Sequence, residues 1–148
     1  NHSAGKSSFM NWYLEKDVQK TKVAIETIEI NILMQGQEES EFNGYNAIQM
    51  LPSLKGLYDK EKKQERFPGL LENIFLKSVN SDAKDFKDLI LIDTPGLADG
   101  DLMYKFDIDS TLMWFADRCD LILVFFDPNG QALCKRTTEL IAKLHEKN

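Results

Sequence analysis

The chain has no long apolar run. Its longest, Leu121 to Phe126, is strand-sized and far short of the roughly 20 residues that a membrane-spanning helix needs. Positive charge is in deficit as well. The formal net charge is -6, whereas a nucleic-acid grip needs a basic face to displace phosphate counterions. Lys60, Lys62, Lys63 and Arg66 form one short basic run, but Asp59, Glu61 and Glu65 interrupt it. That pattern describes a solvated loop or helix face better than a membrane patch. Cysteine is scarce: Cys119 and Cys134 stand apart, with neither metal-ligand spacing nor neighbouring histidines. Reduced thiols of a cytosolic protein are the expectation. Within these residues there is no signal-peptide pattern, internal repeat or low-complexity segment.

What is present suits a soluble α/β unit. A chain of 148 residues with 43% apolar content has enough material for one core, so one domain is expected. It opens on Asn1-His2-Ser3-Ala4-Gly5-Lys6-Ser7-Ser8, everything but the first glycine of the pattern G-x-x-x-x-G-K-[ST]. In such loops successive backbone N–H groups point at phosphates and the following helix presents its positive end. The lysine neutralises β and γ oxygens and the next hydroxyl ligates Mg²⁺, which assigns those roles to Lys6 and Ser7. The first glycine and the buried strand that leads into such a loop are not in the sequence, so the chain reads as a fragment.

A second motif supports the first. Leu89-Ile90-Leu91-Ile92 is a continuous apolar run ending in Asp93-Thr94-Pro95-Gly96, the way a fully buried parallel strand delivers an acidic residue to its C-terminal edge. Ligands of open α/β sheets bind at that edge. Asp93 is therefore expected to hold Mg²⁺, usually through water, and Gly96 to bring its backbone N–H to the γ-phosphate. A plain strand followed by a Pro-Gly turn is the alternative.

The remaining pattern alternates helices and strands. Ser7 to Val18 predicts a helix with Phe9, Met10, Tyr13 and Leu14 as its buried stripe. Ile28 to Met34 predicts a strand whose wet face carries Glu29 and Asn31. A polar loop over 36–44 follows, and Asn46 to Leu51 is ambiguous, with a short strand as one reading. Gly69 to Val79, with Leu70, Leu71, Ile74, Phe75 and Val79, fits a helix better than a strand. Asp109 to Ala116 reads as a helix capped by Asp109 or Ser110, Asp120 to Phe126 as a buried strand, and Ala132 to His145 as an amphipathic helix. Together they predict a mostly parallel sheet covered on both sides.

These residues resemble the dynamin superfamily of large GTPases, and within it most the branch of the EH-domain ATPases and sarcalumenin. Ser3-Ala4-Gly5-Lys6-Ser7-Ser8 is similar to the dynamin phosphate loop, and Glu26-Thr27 before Ile30-Asn31-Ile32-Leu33-Met34 to the first switch and its strand. Trp114-Phe115-Ala116-Asp117-Arg118, leading to Asp120 and Phe125-Phe126-Asp127, looks especially like the EH-domain branch. The long interval between Lys6 and Asp93 fits the insertion that dynamin-type domains carry there. The resemblance implies a three-layer α/β/α P-loop NTPase, a partial dynamin-type G domain over 1–148 that lacks the first loop glycine, the strand leading into the loop and the base-specificity motif.

The resemblance also implies roles. Thr27 would bind Mg²⁺ and the attacking water, its alternative being an ordinary β-branched strand residue. Ser3 would help a monovalent cation or water offset charge between the phosphates. His2 stands where a catalysis-assisting glutamine is usual, and a solvated loop side chain is an equal reading of it. Asn1 to Ser8 together would cradle the phosphates. Leu97 follows the Asp93 motif where Ras-like GTPases place a water-orienting glutamine, and an apolar side chain cannot do that work. Water positioning then falls to backbone, to Thr27 or to dimerisation.

The function expected is Mg²⁺-dependent binding and hydrolysis of a nucleoside triphosphate, coupled to self-assembly and membrane remodelling. The nucleotide is GTP by the majority of the superfamily and ATP by the EH-domain branch, since the Asn-Lys-x-Asp loop that reads guanine is not in this sequence. A nucleotide-binding scaffold without useful hydrolysis is a further alternative. Contact with a membrane would come from regions outside these residues, and the isolated segment is expected to be inactive. The expected place is the cytoplasm, with a peripheral position at membranes as an option.

Overall fold

The computed structural model describes residues 5–18, 29–62, 67–83, 85–97, 104–126 and 134–147. Strand β1 (Ile30–Gln35) organises them. Ile30, Asn31, Ile32 and Leu33 are all buried, although their sequence alternates polar with apolar at Asn31. The reason is position: β1 has a strand on either side and side chains packed over both faces. The sheet order is β2 (Ser40–Asn43), β3 (Ile74–Val79), β1, β4 (Ile90–Asp93).

Two cores form on the two faces. Ile30, Ile32, Ile74 and Leu76 point into the larger one, with Ala47, Leu57, Ile108, Trp114 and Phe115 from the helices above. Leu33, Val79 and Phe86 point the other way, onto Leu14 of helix α1 (Lys6–Leu14). Leu14 and Leu33 are fully buried, and each such leucine contributes about 2 kcal/mol of apolar transfer. The end of α1 is also tied to the loop after β3, where the Ser81 hydroxyl donates to the Leu14 carbonyl at 2.8 Å.

The sheet is mixed rather than mostly parallel. β1 and β3 run parallel, but β1 with β4 and β2 with β3 are antiparallel. The expected helix over 69–79 is instead a short 3-10 turn, Leu71–Asn73, followed by β3. Its apolar spacing satisfies a helical period, yet Ile74 and Leu76 face one core while Val79 faces the other, and β1 offers a full parallel ladder. The polar 36–44 segment contributes edge strand β2. Asn46 to Leu51 is no strand, because α2 spans Gly44–Met50 with the Asn43 side chain accepting from the Asn46 N–H at 3.1 Å. A side chain at Gly44 would drive its Cβ to 2.4 Å from the Leu71 carbonyl oxygen.

The third expected strand fails as well. Residues 121–126 join no ladder, and Leu121, Ile122, Leu123, Val124 and Phe126 are exposed. None of the described strand pairings includes this segment, and a run of apolar side chains alone does not make a strand. Phe125 is the partial exception, its ring centroid 5.3 Å from that of Phe9. Helix α3 spans Lys55–Lys62, α4 Ile108–Ala116 and α5 Lys135–Lys147. The cap of α4 is Asp107, whose carboxylate accepts from the Ser110 N–H at 3.0 Å, rather than Asp109 or Ser110. Among the described side chains of α5 Thr137 is buried, and Leu140 packs against the larger core.

The basic run plays a structural part where it is described. Lys60 lies over the Phe67 ring at 5.7 Å. Glu61 beside it accepts from the Gly69 and Leu71 N–H groups at 3.2 and 3.0 Å. Neither Cys119 nor Cys134 is in a disulfide.

Candidate functional site

Gly5 is the N-cap of α1 and sits in the left-handed region, with φ 84°. A Cβ there would touch nothing within 4 Å, so the glycine serves backbone conformation and not space. Its carbonyl accepts from the Phe9 N–H at 2.8 Å, closing the first turn, and no side chain caps the helix. The first-turn N–H groups of α1 are thus the kind of donors that anions take.

Across from this helix start, Asp93 ends β4 and is 3% exposed. It pairs directly with Asn31 in the antiparallel ladder, and directly opposed residues share a face of the sheet. That is the face of Leu33 and Leu91, under α1, which is why Asp93 meets the start of that helix. The Ser7 hydroxyl donates to Asp93 Oδ2 at 3.4 Å, a long contact between residues 86 positions apart. The other oxygen, Oδ1, is buried with no hydrogen-bond partner.

The charges are mutually supporting yet undercompensated. Burial pushes the Asp93 carboxyl above its ordinary value of 3.8, against the opposing pull of Lys6, the Ser7 hydroxyl and Lys77. Burial pushes the Lys6 ammonium below its ordinary 10.5, with Asp93 attracting it back. In each case desolvation outweighs the partner. An anion beside Lys6 and a cation beside Asp93 would relieve both.

The donor set fits Mg²⁺. A hydroxyl and a carboxylate with an orphaned buried oxygen are hard oxygen donors, and Mg²⁺ is commonly held by one or two such groups together with substrate phosphates and water. Among the described residues no cluster of three His, Cys, Asp or Glu could hold a metal by itself.

The structure therefore brings Gly5, Lys6, Ser7 and Asp93 together, with Ser8 exposed on the first turn and Gly96 three residues beyond Asp93. Asn1, His2, Ser3, Ala4 and Thr27 lie outside the described residues. Leu97 is 7% exposed and part of the larger core, where it anchors the loop after Asp93. Three neighbours had no signal in the sequence. Asn31 looked like a wet-face residue, Lys77 stood in a segment that reads as a helix, and Tyr104 belongs to no motif. Tyr104 nevertheless donates its hydroxyl to the Gly96 carbonyl at 2.6 Å.

The segment Trp114 to Arg118 has a structural explanation. Trp114 and Phe115 are buried, with rings edge to face at 5.2 Å. The Arg118 guanidinium lies 3.8 Å from the Trp114 ring centroid and donates to the Trp114 carbonyl at 2.9 Å, closing the end of α4.

The family model described as the dynamin family matches residues 1–148. EH domain-containing protein 2 of Homo sapiens is 30% identical over 149 residues, covering 97% of this chain and 26% of that protein. EH domain-containing protein 3 of Homo sapiens is 28% identical over 151 residues with the same coverage. An Arabidopsis thaliana EH domain-containing protein 2 is 32% identical over 59 residues, 38% of this chain. The chain spans about a quarter of the length of the human relatives it matches.

Proposed function

The chain belongs to the dynamin family, whose nucleotide-binding domain has the P-loop NTPase fold, and from that premise we propose that it binds and hydrolyses a nucleoside triphosphate with Mg²⁺. One observation carries the reading: the uncapped start of α1, with Lys6 and Ser7, faces a buried Asp93 that has an orphaned oxygen.

Each residue then has a task. First-turn N–H groups and Lys6 take the β- and γ-phosphate oxygens, and Ser7 and Asp93 hold the metal side. Ser7 and Asp93 would hold Mg²⁺ there, and the ion would supply positive charge against the charge that builds on the phosphate in the transition state. Gly96 offers its backbone N–H to the γ-phosphate. Thr27 is proposed to orient the attacking water, with Ser3 and His2 beside the phosphates. Leu97 supplies no hydrogen bond, so a lone subunit lacks one water-positioning side chain, and turnover is slow until self-assembly supplies what is missing.

GTP is the proposed nucleotide, as for most of the superfamily that the sequence resembles. ATP is the second reading, supported by the matches to EH domain-containing proteins, because resemblance to that branch implies ATP. Assembly through this domain, membrane remodelling and membrane contact through other regions, and a cytoplasmic location with peripheral membrane contact belong to the proposal too. No described helix is long and apolar enough to cross a membrane.

The test is binding of a labelled triphosphate to the full-length protein and to Lys6→Ala. Losing the phosphate-neutralising charge should weaken binding by about 100-fold or more. Equal affinities would refute the phosphate-site assignment. Competition by unlabelled GTP and ATP then decides the base.

A further inference from the structure

Gly96 has no side chain, so only its backbone partners fix its orientation. Pro95 before it and Leu97 after it are both buried. Its carbonyl accepts from the Tyr104 hydroxyl at 2.6 Å. Tyr104 stands just ahead of α4 and packs against the larger core. The Arg136 guanidinium of α5 lies 5.0 Å from its ring centroid. Arg136 in turn grips Asp109 of α4 with two hydrogen bonds, Nε to Oδ1 at 3.1 Å and Nη2 to Oδ2 at 3.2 Å. That fork is the geometry in which an arginine loses least freedom per bond formed.

We propose that Tyr104 is a positioning residue for the γ-phosphate side of the site: its hydroxyl fixes the Gly96–Leu97 peptide and so limits the rotation at Gly96 that aims the preceding Gly96 N–H, while Arg136 and Asp109 fix the tyrosine ring. The inference rests on the triphosphate reading above and adds a residue that no motif marks. Glycine samples more backbone conformations than any other residue, so a Gly96 amide that must meet a phosphate needs an external restraint. Leu97 restrains the chain through apolar packing, which is not directional. Tyr104 supplies a directional restraint, and the Arg136–Asp109 pair links it to α4 and α5. A tyrosine that merely satisfied a loop carbonyl would affect every ligand of the site alike. One that positions Gly96 affects only ligands that carry a γ-phosphate.

Tyr104→Phe in the full-length protein separates these two cases, since it keeps the ring under Arg136 and removes only the hydroxyl. Affinities are measured for a non-hydrolysable triphosphate analogue with an imido bridge and for the diphosphate of the same nucleoside. Triphosphate affinity should fall about fivefold, the worth of a single hydrogen bond, with diphosphate affinity unchanged. Arg136→Gln, which removes the clamp without touching Tyr104, should shift the same ratio in the same direction. If Tyr104→Phe does not fold, Arg136→Gln carries the test alone. An unchanged triphosphate-to-diphosphate ratio overturns the inference, and so does an equal loss for both ligands. Lys6→Ala, run alongside, keeps the two readings apart. If it binds like wild type, the triphosphate site itself is wrong and this inference goes with it. If it abolishes binding while the Tyr104→Phe ratio stays put, only the role of Tyr104 falls.

Discussion

The Ser7 hydroxyl reaches Asp93 Oδ2 across 86 positions of chain, at 3.4 Å, while Asp93 Oδ1 has no partner. A direct hydrogen bond at that length is weak, so the value of the pair lies in what both oxygens can hold together. Ser7→Ala and Asp93→Asn should each weaken Mg²⁺-dependent triphosphate binding by roughly tenfold or more. If they serve one ion, the double variant should lose much less than the two single losses combined. Titration calorimetry with Mg²⁺ and with a chelator measures this, and strict additivity would mean the residues do not share a metal.

The buried Asp93 carboxylate sets a pH dependence of stability. Its folded-state pKa is raised above 3.8, chiefly by desolvation, so the native state keeps the proton to higher pH than the unfolded chain. Ionised Asp93 therefore costs stability, fully above the folded pKa and not at all below the unfolded one. Asp93→Asn in metal-free buffer should melt at a higher temperature than wild type at neutral pH. The gap should close as pH falls toward the ordinary carboxylate range. A variant that melts lower at neutral pH would show the charged form to be favourable as it stands.

Thr27 should separate turnover from binding. Its proposed contacts are to the attacking water and the metal in the transition state, and an interaction made only there changes kcat without loosening the ground state. Thr27→Ala is expected to keep triphosphate affinity within a few fold and to lose most phosphate release. Release is measured at saturating nucleotide, with and without the condition that promotes assembly. Wild type and variant that are equally silent under both, with binding intact, would leave a nucleotide-binding scaffold in place of a hydrolase.

Arg118 should matter for stability and not for nucleotide. It stacks on Trp114 and closes the end of α4, so Arg118→Ala should cost about 1–2 kcal/mol by urea denaturation. Trp114→Ala, which empties part of the larger core, should cost about 3–5 kcal/mol. An Arg118→Ala protein as stable as wild type would reduce the stacking to a surface coincidence.

The groups proposed for the phosphate and metal sides of the site were legible because their local setting is short-range. Gly5-Lys6-Ser7 needs one turn of backbone and a helix start, and both are observed. The Asp93 strand announces itself as an apolar run with an acid at its end, and it forms, but antiparallel to β1 at the edge of the described sheet, with Leu89 and Ile90 exposed rather than buried. Helices α1, α4 and α5 also lie where periodicity put them, apart from a few terminal residues. Elements that depend on a distant partner were misread. β3 looked helical because its apolar spacing fits both periods, and only the β1 ladder chose between them. Residues 121–126 looked like a buried strand and stay out of the sheet, since their composition cannot supply a neighbour.

By itself the sequence determined the reactive groups and their local settings: a lysine and a hydroxyl at a helix start, and a carboxylate closing an apolar strand. It also determined membership of the dynamin family, because those motifs and their order are properties of the string. Only the tertiary structure decided which residues stand around them. The antiparallel pairing of β1 with β4 puts Asn31 opposite Asp93 and turns both toward α1. The meeting of the loop after Asp93 with the segment ahead of α4 puts the Tyr104 hydroxyl on Gly96. The reason is physical: backbone conformation and short-range periodicity are encoded within a few residues, whereas register, desolvation and contact across many positions exist only once strands have chosen their neighbours.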